Sequence, residues 1–278
     1  MPHLVFSAWL SLNMYAQPGI DMNNVYRKDS ITVVITDSGL GGLSVMNYLA
    51  ARLEQAGSFS EVNLIFVNAL FDKETGYNTL QTREEKVSTF NRVLESIGRV
   101  YKPDVILIAC NTLSVIYRDT QFANSSDIPI IGIVEPGVEL ILSKLVPDAG
   151  SSVIIMGTET TISEGTHRRE LLENNIEEER IVTEPCPQLQ SYIEEDPESE
   201  MVEMLISFYV NEALQKTRQR EDKIYLSLNC SHFGYSLPLW KKACENQGYD
   251  IRGILDPNYL MCDALIPLWK DKQFQSQP

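Results

Sequence analysis

Along this chain, short runs of β-branched and apolar residues alternate with longer stretches whose apolar positions recur at helical spacing. Ile31 to Thr36 reads as a buried strand, and Asp37-Ser38-Gly39-Leu40-Gly41-Gly42 breaks it before Leu43, Met46, Leu49 and Leu53 take up a helical period. Val62 to Val67 is the next strand and closes on Asn68. A polar loop, Asp72 to Gln81, carries Gly76-Tyr77-Asn78 and leads into a charged amphipathic helix from Thr82 to Tyr101. Pro103 closes that helix, and the strand Asp104 to Ala109 delivers Cys110, where a loop is expected. Pro129 to Val134 reads as a strand that runs into Glu135-Pro136-Gly137 and a helix through Leu145.

The alternation continues with the strand Ser152 to Met156, the loop Gly157-Thr158-Glu159-Thr160-Thr161, a helix, the strand Arg180 to Thr183 and the segment Cys186 to Asp196. A long amphipathic helix, Glu200 to Arg220, carries Met204, Leu205, Phe208 and Leu214 and feeds the strand Ile224 to Asn229, which delivers Cys230. Tyr235 to Cys244 is helical, with Pro238 near its start. Ile251 to Leu255 is a last strand, Asn258 to Trp269 a last helix, and the tail from Asp271 is polar.

Strands separated by helix-length patterns predict an α/β protein with one mostly parallel sheet or two. Two strands that each end in a cysteine and a polar residue, 120 positions apart, point to two similar halves. The expected division is a first domain of residues 31–128 with 233–278 and a second of 129–232. Residues 1–30 are treated as an extension outside the fold. Leu4 to Ala16 has an apolar flavour, but no Lys or Arg precedes it as a secretory leader requires, and Met14 or Met22 is an alternative start.

Composition narrows the classes. With 278 residues and 44% hydrophobic content, the chain can bury two modest cores. A formal net charge of −15 argues against a sequence-independent grip on nucleic acid, which needs a basic face to displace counterions. The five cysteines are widely spaced without a CxxC pair, which suggests neither a disulfide framework nor a zinc site; reduced thiols in a cytoplasmic protein fit best. No apolar window approaches the roughly 18 residues of a membrane span.

The glycine turn after the first strand offers backbone N–H groups at a helix N-terminus to a carboxylate or a phosphate. Its Gly-x-Gly-Gly spacing, and Asn68 where an acid would hold a ribose, argue against a dinucleotide site. Ligands in open α/β sheets bind outside the carboxyl ends of the strands, so Asp37, Cys110, Gly157-Thr158 and Cys230 project toward the same kind of edge. A cysteine with a histidine suits acyl transfer, and a buried cysteine is commonly a small hydrophobe. Two thiols on opposite faces of one carbon suit proton abstraction and re-donation, one as base and the other as acid. The reference thiol pKa of about 8.5 lies close enough to neutrality for either role.

Asp37-Ser38-Gly39-x-Gly41-Gly42, Ala109-Cys110-Asn111-Thr112, Glu135-Pro136-Gly137, Gly157-Thr158-x-x-Thr161, Cys186-Pro187 and Cys230-Ser231-His232 resemble, in order and spacing, the motifs of glutamate racemases of the cofactor-independent aspartate/glutamate racemase superfamily. The resemblance runs over roughly residues 31–265. It implies two pseudo-symmetric α/β domains with the active site in the cleft between them. It also implies interconversion of L- and D-glutamate, without cofactor or metal, to supply peptidoglycan synthesis. By that likeness Cys110 and Cys230 are the acid/base thiols, assisted by Asp37, His232 and Glu194. Substrate contacts fall to Asp37, Ser38, Tyr77, Asn78, Asn111, Thr112, Thr158, Thr161, Ser231 and His232. His232 lies two residues from Cys230, which in an extended segment puts both on one side.

The chain departs from the family pattern in having Ser231 where Thr is usual, Phe233-Gly234 where Tyr-Pro is usual, and Gly76-Tyr77-Asn78 where a Tyr-Gly pair is expected. The partner implied is a small acidic amino acid, with neither nucleic acid nor membrane, and a homodimer is among the assemblies allowed. Two other readings stay open: racemisation of aspartate or another amino acid within the same superfamily, and a catalytically silent amino-acid-binding or regulatory protein.

Overall fold

The computed structural model describes residues 23–57, 59–70, 76–217, 223–245 and 247–262. The expected alternation is present in these residues as β1 (Ser30–Asp37), β2 (Glu61–Asn68), β3 (Val105–Ile108), β4 (Ile130–Gly132), β5 (Ser151–Gly157), β6 (Ile181–Pro185), β7 (Lys223–Asn229) and β8 (Asp250–Leu255). Every pairing is parallel, in two four-stranded sheets of order β2-β1-β3-β4 and β6-β5-β7-β8. The α/β class with two parallel sheets is therefore as the periodicity predicts.

The two sheets share more than strand order. In the first, Val33 pairs with Val105; in the second, Ser151 pairs with Lys223; both central ladders join residues 72 positions apart. The similar halves inferred from two cysteines are a repeat of topology and register, with β1 answering β5 and β3 answering β7. The central strands β3 and β5 are buried at every residue, as parallel strands covered by helices on both faces must be. Helix Leu43–Ala56 covers the first sheet with Val45, Leu49, Leu53 and Ala56, and helix Arg83–Tyr101 buries Phe90, Leu94 and Ile97. The latter opens with a capping box in which Thr82 and Glu85 satisfy each other's backbone N–H groups. In the second half, helix Glu200–Gln215 buries Val202, Ile206, Val210 and Leu214.

The division between halves differs from the one expected. The described residues up to Pro136, with those from Asn258 onward, form one compact unit, and Gly137–Pro257 forms the other. The stretch assigned to the second domain from residue 129 instead supplies β4, which pairs with β3 and completes the first sheet. The stretch assigned to the first domain from residue 233 instead supplies helix Leu237–Cys244 and β8, which pairs with β7. A repeat of four strands needs its fourth strand on the same sheet, a constraint invisible in two cysteine exits.

Smaller differences have local causes. The short strand ends at Gly132, and the helix starts at Val134, ahead of Glu135-Pro136. Proline is tolerated in a first helical turn because its missing N–H would have no intrahelical partner there. Residues 23–30 are not outside the fold. Asn23–Tyr26 is a helical turn, Val25 is buried in the first core, and Asp104 pairs with Lys28 while accepting from the Thr32 N–H at 2.7 Å. The apolar stretch Leu4 to Ala16, most of the last helix and the tail from Asp271 lie outside the described residues. Among the described residues no helix is long and apolar enough to cross a membrane.

The turn from β1 into its helix is tight for a steric reason. A Cβ at Gly42 would stand 3.0 Å from both Cβ and Oδ2 of Asp37 and 3.1 Å from Cβ of Ala109. Gly42→Ala is expected to cost roughly 1–3 kcal/mol, the usual range for forcing a methyl into a filled space. A urea midpoint lowered at constant slope would show it; an unchanged midpoint would mean the turn has slack.

Candidate active site

In each sheet the strand order reverses beside the central pair, between β1 and β3 in the first and between β5 and β7 in the second. The carboxyl edge of such a switch point opens a crevice, because the connections on its two sides leave for opposite faces. Both cysteines singled out from the sequence stand there, each one or two residues beyond the last paired residue of its strand.

In the first unit, β1 ends at the fully buried Asp37, followed by Ser38. Ser38 Oγ lies 3.1 Å from Cys110 Sγ. Cys110 does not enter a loop: it caps a short helix, Asn111–Ser114, which begins at once because Asn111 and Thr112 follow the strand without a turn residue. Burial pushes the Cys110 thiol up to about 12, with the Asp37 carboxylate adding to the rise. The Ser38 hydroxyl and the backbone N–H groups of Leu113 and Ser38 pull the other way. Thr112 is buried, and so is the Asn111 amide, of which neither Oδ1 nor Nδ2 has a hydrogen-bond partner among the described residues. A buried unsatisfied amide costs about 1–3 kcal/mol, so such a group calls for an explanation. Tyr77, also buried, stacks edge-on against Phe90 with centroids 6.3 Å apart, and burial, with Cys110 adding to the effect, pushes its phenol well above the ordinary range. Asn78 follows it in a 3-10 turn.

In the second unit, β5 ends at Gly157, and Thr158 caps helix Glu159–Glu164 by accepting from the Thr161 N–H at 3.3 Å. The two threonine hydroxyls lie 3.0 Å apart. Thr158 is as far from Cys230 in sequence as Ser38 is from Cys110, 72 positions, so each half sets a hydroxyl residue across the central ladder from its thiol. Cys230 is buried, and His232 Nδ1 lies 3.9 Å from its sulfur. The opposite ring nitrogen, Nε2, meets Glu194 Oε2 at 2.6 Å. Glu194 is on helix Leu189–Glu195, an element read from the sequence only as a segment without assigned structure. Glu194, His232 and Cys230 thus form a chain, and Ser231 is buried between the last two.

Each unit therefore gathers its own share of the expected residues: Asp37, Ser38, Tyr77, Cys110, Asn111 and Thr112 in the first, and Thr158, Thr161, Glu194, Cys230, Ser231 and His232 in the second. Cys186, though part of a recognised motif, is wholly buried in the second core and donates toward the Glu184 carbonyl at 3.7 Å. All five cysteines are unbridged. Two residues escaped the sequence reading. Asn229 Nδ2 lies 2.9 Å from His167 Nε2, both buried. Their only sequence signal is the position of Asn229 directly before Cys230.

A family model described as Asp/Glu/Hydantoin racemase matches residues 41–219. The chain is 31% identical over 201 residues to a protein named glutamate racemase from Clostridium botulinum (strain Alaska E43 / Type E3), over 72% of this chain and 70% of that relative. Against the glutamate racemase of Persephonella marina (strain DSM 14350 / EX-H1) it is 25% identical over 206 residues, or 73% of this chain and 71% of the relative. The solved glutamate racemase isoform RacE1 from Bacillus anthracis shares the fold with a TM-score of 0.67 at 21% identity, over 90% of this chain and 84% of that one. The glutamate racemase of Francisella tularensis subsp. tularensis SCHU S4, solved with D-glutamate, does so with a TM-score of 0.63, also at 21% identity, over 88% and 83%.

Two expectations follow from the electrostatics. Asp37→Asn removes a negative charge that disfavours the Cys110 thiolate, so iodoacetamide should label Cys110 faster in the variant at pH 8; an equal or slower rate would free Asp37 of that role. His167 is the second. Burial pushes it down from 6.5 to about 4, so between these values the unfolded chain binds the proton and the folded one does not. Stability present above pH 6.5 is lost as the pH falls toward 4, by up to roughly 3 kcal/mol. His167→Gln should flatten that acid limb in urea titrations, and a limb as steep as in the unaltered protein would contradict the assignment.

Proposed function

The chain belongs to the Asp/Glu/Hydantoin racemase family, and from that premise we propose that it is a glutamate racemase in which Cys110 and Cys230 pass the α-proton. The observation that carries the reading is the duplication of one arrangement, a buried thiol across from a hydroxyl residue at the switch point of a parallel sheet. A binding protein needs no second thiol in the equivalent place, and acyl transfer needs only one.

On this reading one thiolate removes the α-hydrogen of the amino acid, and the electron pair of the broken C–H bond spreads into the substrate carboxylate. The other thiol, protonated, then donates to the opposite face of the same carbon. The enzyme finishes with the proton on the first sulfur and not on the second, ready for the reverse enantiomer. Cys110 rests as a thiol, because burial and Asp37 both disfavour its charge. A substrate ammonium set against Asp37 offsets that carboxylate and brings the thiol nearer its working range. In the second unit His232, held by Glu194, is the group that exchanges a proton with Cys230 or steadies its thiolate. Asn111, Thr112, Thr158, Thr161, Ser231 and Ser38 supply hydrogen bonds to the substrate's polar ends, and the unsatisfied amide of Asn111 is the strongest support for that part. Tyr77 and Asn78 complete the substrate contacts.

Supply of D-glutamate for peptidoglycan is the corresponding role, and two working thiols suit the reducing cytoplasm. Purified protein without added cofactor is expected to abolish the circular dichroism of either glutamate enantiomer. Cys110→Ala and Cys230→Ala should each slow this by roughly 10²–10⁴-fold, the usual worth of a positioned acid or base. Wild-type turnover in either variant would overturn the two-thiol assignment. Aspartate is expected to be slower by roughly 10–200-fold, the worth of one methylene, and a faster rate with aspartate would reassign the substrate.

A further inference from the structure

Asn229 is the last residue of β7, and its pairing with Gly157 is the last rung of the ladder between β7 and β5. What holds Asn229 therefore holds the point from which Cys230 departs. Its side chain is completely buried, and its Nδ2 reaches Nε2 of His167, the second residue of helix Thr166–Glu173, at 2.9 Å. The amide's other atom, Oδ1, is buried with no hydrogen-bond partner among the described residues, so the orientation of the amide rests on His167. The approach is close on a third side: a Cβ at Gly137 would lie 3.3 Å from Asn229 Nδ2 and 3.6 Å from His167 Nε2. With Nδ2 donating, the ring accepts at Nε2 and carries its proton on Nδ1, the neutral form that burial favours.

The first half lacks a polar residue at the matching position. The position before Cys110 is Ala109, an apolar residue of the first core. The polar pair is thus an addition to one thiol of two that otherwise repeat each other.

We propose that Asn229 and His167 act as a positioning pair for Cys230, fixing the strand end that aims this thiol and leaving Cys110 untouched. The proposal rests on the two-thiol reading. It has a consequence that a purely structural contact lacks. Enantiomers have equal free energy, so kcat/KM must fall equally in both directions when the Cys230 step is slowed. The α-deuterium isotope effect on kcat/KM need not. It should rise from the enantiomer whose hydrogen Cys230 removes, and fall from the other, where re-donation by Cys230 becomes limiting after the C–H bond is already broken.

The test uses the full chain with His167→Phe, which removes the acceptor and keeps the bulk, and His167→Gln, which keeps an acceptor. Asn229→Ser carries the same prediction if the phenylalanine variant fails to fold. The expected result for His167→Phe is a loss in kcat of roughly 10²-fold, the order seen for small misplacements of a reacting group, with KM little changed. The isotope effects should split between the two enantiomers, and the glutamine variant should recover most of the rate. A loss of rate with isotope effects unchanged from both enantiomers would overturn the proposal, because that is what a smaller folded fraction produces. A second readout needs no turnover: the iodoacetamide labelling rate of Cys230 should change in His167→Phe while that of Cys110 stays as in the unaltered protein. Equal behaviour of the two thiols would overturn the pairing. If the unaltered protein racemises neither glutamate nor aspartate, the two-thiol reading fails on that result, and the labelling comparison still decides the positioning role.

Discussion

Ser38 Oγ against Cys110 Sγ at 3.1 Å is the contact from which the rest of the molecule can be understood. A thiol can exchange protons with carbon only if it is held close to its target, out of bulk water, and still able to change its charge. A parallel sheet offers one place for that, the carboxyl edge where the strand order reverses. There the chain has just left a fully buried strand, and the next residues are fixed by the ladder behind them. The long burial of β3 and β5, the glycine at position 42 and the short helix at Asn111 are all consequences of bringing polar side chains to that edge without exposing the core. The second sheet repeats the frame at the same register offset, with Thr158 and Cys230 each one residue beyond the last rung, Gly157 with Asn229.

Repetition of the frame does not make the two thiols alike. Cys110 sits beside a buried carboxylate, which together with burial keeps it protonated at rest. Cys230 sits beside an imidazole that is itself held by Glu194, and behind it lies the Asn229–His167 pair. Asymmetry of this kind suits an enzyme whose substrate is chiral. In the proposed reaction each face of the carbon presents a different arrangement of carboxylate, ammonium and side chain, so two acid/base thiols would each need their own electrostatic surroundings. On the proposed reading, a net charge of −15 makes the local supply of hydroxyls and helix N-termini more important still, because an acidic amino acid would be drawn in against the overall field.

Much of this was legible in the sequence. β-branched runs leading to Asp37, Cys110, Gly157 and Cys230 marked the strands and their carboxyl ends, because a parallel strand buried on both faces is mostly apolar along its length. The identities of Ser38, Asn111, Thr158 and His232 then pointed to the chemistry proposed here. What was not legible was pairing. β4 and β8 are short strands of three and six residues, and nothing local says which sheet they join, so the division at residues 128 and 232 was misplaced. The packing of Val25 was hidden among polar neighbours. His167 and Asn229 are 62 positions apart and meet only because a helix start is brought against a strand end.

The central claim is that two thiols, each confined to its own face, share one reaction. It is tested most directly by starting from a single enantiomer of glutamate in heavy water, with the cofactor-free protein, and locating deuterium before equilibrium is reached. The account predicts deuterium at the α-carbon of the product enantiomer while the remaining substrate still carries protium, because the thiol that takes the proton is not the one that returns it. Deuterium appearing equally in both enantiomers from the start would mean that one base serves both faces, and would contradict the account.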